Sequence, residues 1–127
     1  MTARSPSDGV LVVVPTYNEA PNVAELVRRV AEQTRGIEAE IIFVDDSTDT
    51  TPERIREVAA ATVLPVRLLH RETPVGGLSG AVVEGLRAAE GTWAVVMDGD
   101  LQHPPTTVPE LHRAGLGGGC DVVVASR

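Results

Sequence analysis

The sequence predicts an α/β fold: a doubly wound, mostly parallel sheet with helices on both faces, three layers (α/β/α) in all. Three observations carry that expectation. Short apolar runs alternate with segments of helical periodicity, in the order β-α-β-α-β-α-β-α-β. The runs at 10–14, 41–44 and 94–97 have no polar face, as strands covered on both sides of a parallel sheet require. The unusual polar residues gather just after such runs, and in open α/β sheets ligands sit outside the carboxyl ends of the strands.

Taken in order, residues 1–9 are polar and read as a disordered lead, and residues 10–127 as one domain. The first strand, 10–14, stops at Pro15-Thr16-Tyr17-Asn18-Glu19. Val23, Leu26, Val27 and Val30 then recur at helical spacing, with Pro21 suited to a first turn and Gly36 to a stop. The second strand, 41–44, is closed by Asp45-Asp46-Ser47-Thr48-Asp49. Thr51 reads as the cap of a helix with Pro52 at its first position and Ile55, Val58 and Ala59 as its buried stripe. A third strand, 66–69, leads through the glycine-rich loop TPVGGLSG into a helix whose apolar face is Leu78, Ala81, Val82, Leu86 and Ala89, ended by Gly91. The fourth strand, from Trp93 through Met97, breaks at once into Asp98-Gly99-Asp100, with Gln102 and His103 behind and Pro104-Pro105 to stop any continuation. A short helix at 107–113, a triple-glycine turn and a fifth strand at 122–125 complete the pattern.

Composition narrows the function classes. Net charge is −7 and all 11 basic residues are Arg, a balance that disfavours nucleic acid as a partner. Cys120 is alone, so one chain offers neither a disulfide nor a Cys-based zinc site. The run at 10–14 is too short for the apolar core of a signal peptide, and no stretch nears the roughly 18 apolar residues that span a bilayer. The expectation is a cytoplasmic chain, with contact at the inner face of a membrane still open.

Four constellations carry candidate chemistry, each with a plainer alternative. Asp98 and Asp100, at i and i+2 in extended backbone, point to one side, and carboxylates are the hard ligands Mg²⁺ or Mn²⁺ prefer. Gly99 between them lets a bulky ligand approach the backbone. The alternative is a polar turn after a buried strand. Tyr17 offers a flat ring for a base, while Glu19 equally suits a helix start, where an acid complements the dipole. Asp46 can accept from a base edge or a ribose, or belong with Ser47 to a turn. GGLSG can turn N–H groups toward phosphate or serve a tight turn, and it matches neither G-x-G-x-x-G nor the P-loop pattern. Arg127, after the last strand, is a candidate for a phosphate. His70 and His112 read as incidental.

Together, VVVPTYNE, FVDDSTDTT, GGLSGAVVEGLRAAEG, VVMDGDLQHPP and DVVVASR closely resemble the family-2 glycosyltransferases, nearest to the polyprenol-phosphate (dolichol-phosphate) mannosyltransferases and glucosyltransferases. The resemblance runs from residue 10 to 127, and DGDLQHPP is its most specific part. It implies a Rossmann-like GT-A fold and an inverting transfer of mannose or glucose. The donor would be a nucleotide sugar, GDP-mannose or a UDP-sugar, the acceptor a polyprenyl phosphate at a membrane surface, and the cofactor Mg²⁺ or Mn²⁺. On that resemblance Pro15, Tyr17, Glu19, Val44, Asp46 and Gly99 line the nucleotide site. Asp98 and Asp100 serve ribose, diphosphate and metal as the catalytic pair, Gln102 completes the metal shell, and Arg127 meets donor phosphate. Family members continue past the Ser-Arg at the end, so the chain is expected to be the donor-binding half of a longer one. Its sheet is then expected to be incomplete, with an exposed edge that invites self-association. Two other readings remain: a nucleotide-binding piece without turnover, and a haloacid-dehalogenase-type phosphatase, whose nucleophile also sits in Asp-x-Asp.

Overall fold

A computed structural model describes residues 9–88, 93–97 and 99. They form the order β1 (Val10–Thr16), α1 (Ala20–Gln33), β2 (Ala39–Asp45), α2 (Thr51–Ala61), β3 (Val66–His70), α3 (Gly77–Arg87) and β4 (Trp93–Val96). The strands make one parallel sheet in the order β3-β2-β1-β4. Side chains alternate across it, so the even residues Val10, Val12 and Val14 meet Val23, Leu26, Val30 and Ile55 of α1 and α2. The odd ones, Leu11 and Val13, join Ile42, Val44 and Ala81 on the α3 side. Three layers result. No described helix is long and apolar enough to cross a membrane.

This winding positions the site. The chain moves outward from β1 to β3, then returns over the opposite face to place β4 beside β1. The carboxyl ends of β1 and β4 therefore flank a topological switch point, where diverging crossovers leave a crevice.

Several boundaries differ from the sequence expectation. β1 runs on through Pro15 to Thr16 and pairs along its whole length with β2, while its ladder with β4 ends at Val13↔Val96. Met97 N–H bonds the Val13 carbonyl and Asp46 N–H the Thr16 carbonyl. By alternation the missing N–H of Pro15 thus faces the β4 side, beyond the last pair, and costs the ladder nothing. Gly9, expected in the lead, is buried and its carbonyl accepts Trp93 N–H at 3.1 Å. Thr51 is not the cap of α2: Thr50 holds that position without a side-chain bond, and the Asp49 carboxylate takes the Thr51 N–H at 2.9 Å instead. An exposed acceptor two residues upstream satisfies the free donor, so the threonine need not.

The α3 stripe needs the largest correction. Leu78 and Leu86 are exposed, and the buried positions are Ala81 and Gly85. A Cβ on Gly85 would stand 2.2 Å from Val13 Cγ1 and 3.2 Å from Val44 Cγ2. The helix docks through its smallest residues, backbone close to the sheet, and its larger side chains flank the contact. Ala89 and Gly91, the 107–113 helix, the triple-glycine turn, Cys120 and the 122–125 strand lie outside the described residues, as do residues 1–8.

Candidate functional site

A cavity of about 530 Å³ opens at the switch point. β1 and the loop after it supply Pro15, Thr16, Tyr17 and Glu19, the residue after β2 supplies Asp46, and the turn after β4 supplies Gly99. Pro74, Gly77, Leu78 and Ala81, before and within α3, form the far wall. Of the expected site residues, Pro15, Tyr17, Glu19, Asp46 and Gly99 are thus brought together. Val44 is not with them: it is fully buried under α3. Asp98, Asp100, Gln102 and Arg127 lie outside the described residues, as does His103.

Each wall has a local cause. Tyr17 is 61% exposed and lines the cavity from a loop whose next residue, Asn18, has φ +53°. Asn tolerates that left-handed region better than most residues because its short amide can bond locally. Here the Asn18 N–H donates to Ser47 Oγ at 2.7 Å and Asn18 Oδ1 accepts the Thr48 N–H at 3.1 Å. Glu19 occupies the N-cap position of α1 without capping by its side chain; Asn22 Nδ2 donates to its Oε2 at 3.1 Å. A Cβ on Gly99 would lie 3.0 Å from Thr16 Cγ2 and 3.5 Å from Glu19 Cγ. The glycine therefore lets the β4 turn close against the β1 loop of the protein itself.

Asp46 is held by a residue that no sequence motif singled out. Arg71, one position past β3, donates Nε to Oδ1 and Nη2 to Oδ2, both at 2.7 Å. It also donates to the carbonyls of Val75 (3.0 Å) and Gly77 (2.9 Å), tying the α3 approach to the same carboxylate. The bond to Asp46, set against the cost of burial, pushes the Arg71 guanidinium further above its already high range. The parallel register pairs Asp45 with His70, which brings the following residues, Asp46 and Arg71, level. The available signal was a charged residue two positions past the last apolar residue of each strand, Asp46 after Val44 and Arg71 after Leu69.

Asp45, a buried carboxylate, faces away from the cavity. It accepts from the hydroxyls of Thr16 and Ser47, each at 2.6 Å, and from the Ser47 N–H at 3.3 Å, and its Oδ2 lies 2.8 Å from His70 Nδ1. His70 is therefore engaged at the sheet end. Among the described residues no group of three or more His, Cys, Asp and Glu converges to hold a metal ion.

Known proteins resemble this chain in sequence and fold. The description "Glycosyl transferase family 2" fits residues 11–127. The chain is 43% identical over 119 residues to a dolichol-phosphate mannosyltransferase of Pyrococcus furiosus, covering 93% of this chain and 33% of that one. A dolichol-phosphate mannosyltransferase of Saccharomyces cerevisiae is 41% identical over 104 residues, 79% and 38% of the two chains. Among solved structures, a mannosyltransferase from Pyrobaculum calidifontis in complex with GDP-Man and Mn²⁺ superposes with TM-score 0.65 and 34% identity, over 77% of this chain and 30% of that one. Glucosyl-3-phosphoglycerate synthase from Mycobacterium tuberculosis, with Mn²⁺, UDP and phosphoglyceric acid, gives 0.70 and 28% identity, over 87% and 40%. The chain spans between 30% and 40% of the length of these four proteins. Its sheet is that of the GT-A glycosyltransferases. Since the match takes in nearly all of β1 and every later strand and loop that builds the cavity, the chain belongs to glycosyl transferase family 2.

Proposed function

We propose that this chain binds the donor for a glycosyltransferase that moves mannose or glucose from a nucleotide sugar, GDP-mannose or a UDP-sugar, to a polyprenyl phosphate at a membrane surface. The observation that carries the reading is the convergence of Tyr17, Glu19, Asp46 and Gly99 on one cavity at the switch point. Family membership supports it, as do the two dolichol-phosphate mannosyltransferases among its relatives. A phosphatase reading of Asp-Gly-Asp has no comparable support.

In this reading the Tyr17 ring packs on the base and Asp46, an acceptor-only group, takes an N–H of the base or a ribose hydroxyl. Pro15 lines the nucleotide beside the backbone, Gly99 lets the β4 turn close against the β1 loop to complete that wall, Val44 supports the base side from beneath, and Arg127 meets donor phosphate. Asp98, Asp100 and Gln102 would hold Mg²⁺ or Mn²⁺; two carboxylates and an amide oxygen are the right donors for a hard cation, and Gly99 between the carboxylates lies in the cavity wall. When bound, the cation offsets charge on the departing nucleoside diphosphate. A lipid phosphate is already an anion, so an inverting attack needs no strong base from the protein.

Calorimetric titration of UDP and GDP, with Mn²⁺ and then with chelator, tests this. Binding that needs the metal, and that Asp100→Asn weakens far more than Asp49→Asn, is expected. Equal affinity in both conditions would remove the metal bridge, and no binding in either would remove the nucleotide reading. Asp46→Ala is expected to lower nucleotide affinity while leaving Mn²⁺ affinity of the nucleotide-free protein unchanged.

A further inference from the structure

Asp45 ends β2 fully buried and lines no part of the cavity, yet the Thr16 hydroxyl, the Ser47 hydroxyl and N–H, and His70 Nδ1 converge on it. The Ser47 hydroxyl donates its one hydrogen to Asp45 Oδ1 at 2.6 Å, which leaves the Ser47 oxygen only lone pairs for anything else. One is used: it accepts the Asn18 N–H at 2.7 Å. Asn18 is the one non-glycine with positive φ among the described residues, and it sits between Tyr17 and Glu19, both in the cavity wall. Such a backbone persists where its surroundings over-determine it.

We propose that Asp45 and Ser47 are positioning residues for nucleotide binding: the buried carboxylate orients the Ser47 hydroxyl, which holds the left-handed turn at Asn18 and so sets Tyr17 and Glu19 at the cavity. This rests on the nucleotide reading of that cavity. Asp45 also ties the ends of three strands, through Thr16 of β1 and His70 of β3. A short, hydrogen-bonded chain of this kind transmits the geometry of the sheet to a loop that has no regular structure of its own.

The test is a double-mutant cycle on Kd for UDP and GDP in Mn²⁺, with Ser47→Ala, Tyr17→Ala and both together. Ser47→Ala removes the acceptor for Asn18 without changing the identity of any cavity-lining residue. It is expected to weaken binding about tenfold in the wild-type background and only about threefold in the Tyr17→Ala background, because Tyr17 is one of the two residues the relay places and Glu19 remains. Equal losses in both backgrounds would mean that Ser47 acts through general stability, and would overturn the proposal. Asn18→Val provides an independent arm, since it attacks the turn from the exposed side and leaves Asp45 and Ser47 intact. It should weaken binding at least as much as Ser47→Ala, and wild-type affinity for it would also overturn the proposal. If the wild-type chain binds neither nucleotide, the reading of the cavity fails and this inference with it. Binding by the wild type with no coupling sinks the positioning role alone.

Discussion

Arg71 grips Asp46 side-on, through two bonds of 2.7 Å, with the two side chains only 10% and 12% exposed. A carboxylate facing a cavity proposed for a nucleoside diphosphate would repel the ligand if it stood alone. The guanidinium cancels that charge while taking one lone pair on each oxygen, so the remaining lone pairs stay free for neutral donors. Its other bonds, to the Val75 and Gly77 carbonyls, fix the far wall relative to Asp46.

Replacing Arg71 therefore costs stability and nucleotide affinity together. Arg71→Met leaves a largely buried carboxylate without a partner, and denaturant unfolding should show a loss of about 1–3 kcal/mol. Arg71→Lys keeps the charge but cannot form the fork, and is expected to recover only part of the stability.

Asp49 has a different task from its neighbour Asp46. It is exposed, and its bonds from the Thr51 hydroxyl and then the Thr51 N–H at the start of α2 lower its carboxyl from the ordinary carboxylate value. Asp49→Ala should lower the melting temperature, because the Thr51 N–H at the start of α2 loses its acceptor, with nucleotide affinity unchanged in calorimetry.

Gly85→Ala tests the docking of α3. With 2.2 Å between the added Cβ and Val13 Cγ1, the helix must move away from a packed sheet, at a cost of about 1–3 kcal/mol. Gly36, at φ +79°, has nothing within 4 Å of the place a Cβ would take, and should lose only about 1 kcal/mol on the same change, all of it backbone strain. Equal losses in urea melts would contradict the close approach.

Glu25 sets part of the acid response. Hydrogen bonds from Arg28 and then Arg29 lower its carboxyl from its ordinary 4.5 to about 2. A depressed carboxylate stabilises the fold above its unfolded value, and that contribution is lost as pH falls from about 4.5 toward 2. The group is on the surface of α1, so the effect is small and screened by salt. Glu25→Gln should flatten this part of a curve of melting temperature against pH and leave neutral pH nearly unaffected.

The sequence by itself determined the alternation of strands and helices, the parallel sheet and the end of it where the cavity opens. Strands with no polar face need cover on both sides, and polar residues that cannot stay in such strands collect where they stop. It also put Tyr17, Glu19, Asp46 and Gly99 at those ends. Only the tertiary structure decided how adjacent, chemically identical residues divide the work. Asp45 and Asp46 are neighbours in one short motif, yet strand alternation buries the first among hydroxyls and His70 and turns the second to the cavity. Nor could the chain alone pair Asp46 with Arg71, 25 residues on, because register between parallel strands is fixed by packing of both faces and leaves no local mark. The docking of α3 followed the same logic: periodicity marks its apolar residues, but the sheet admits only the small side, Ala81 and Gly85, against Val13 and Val44.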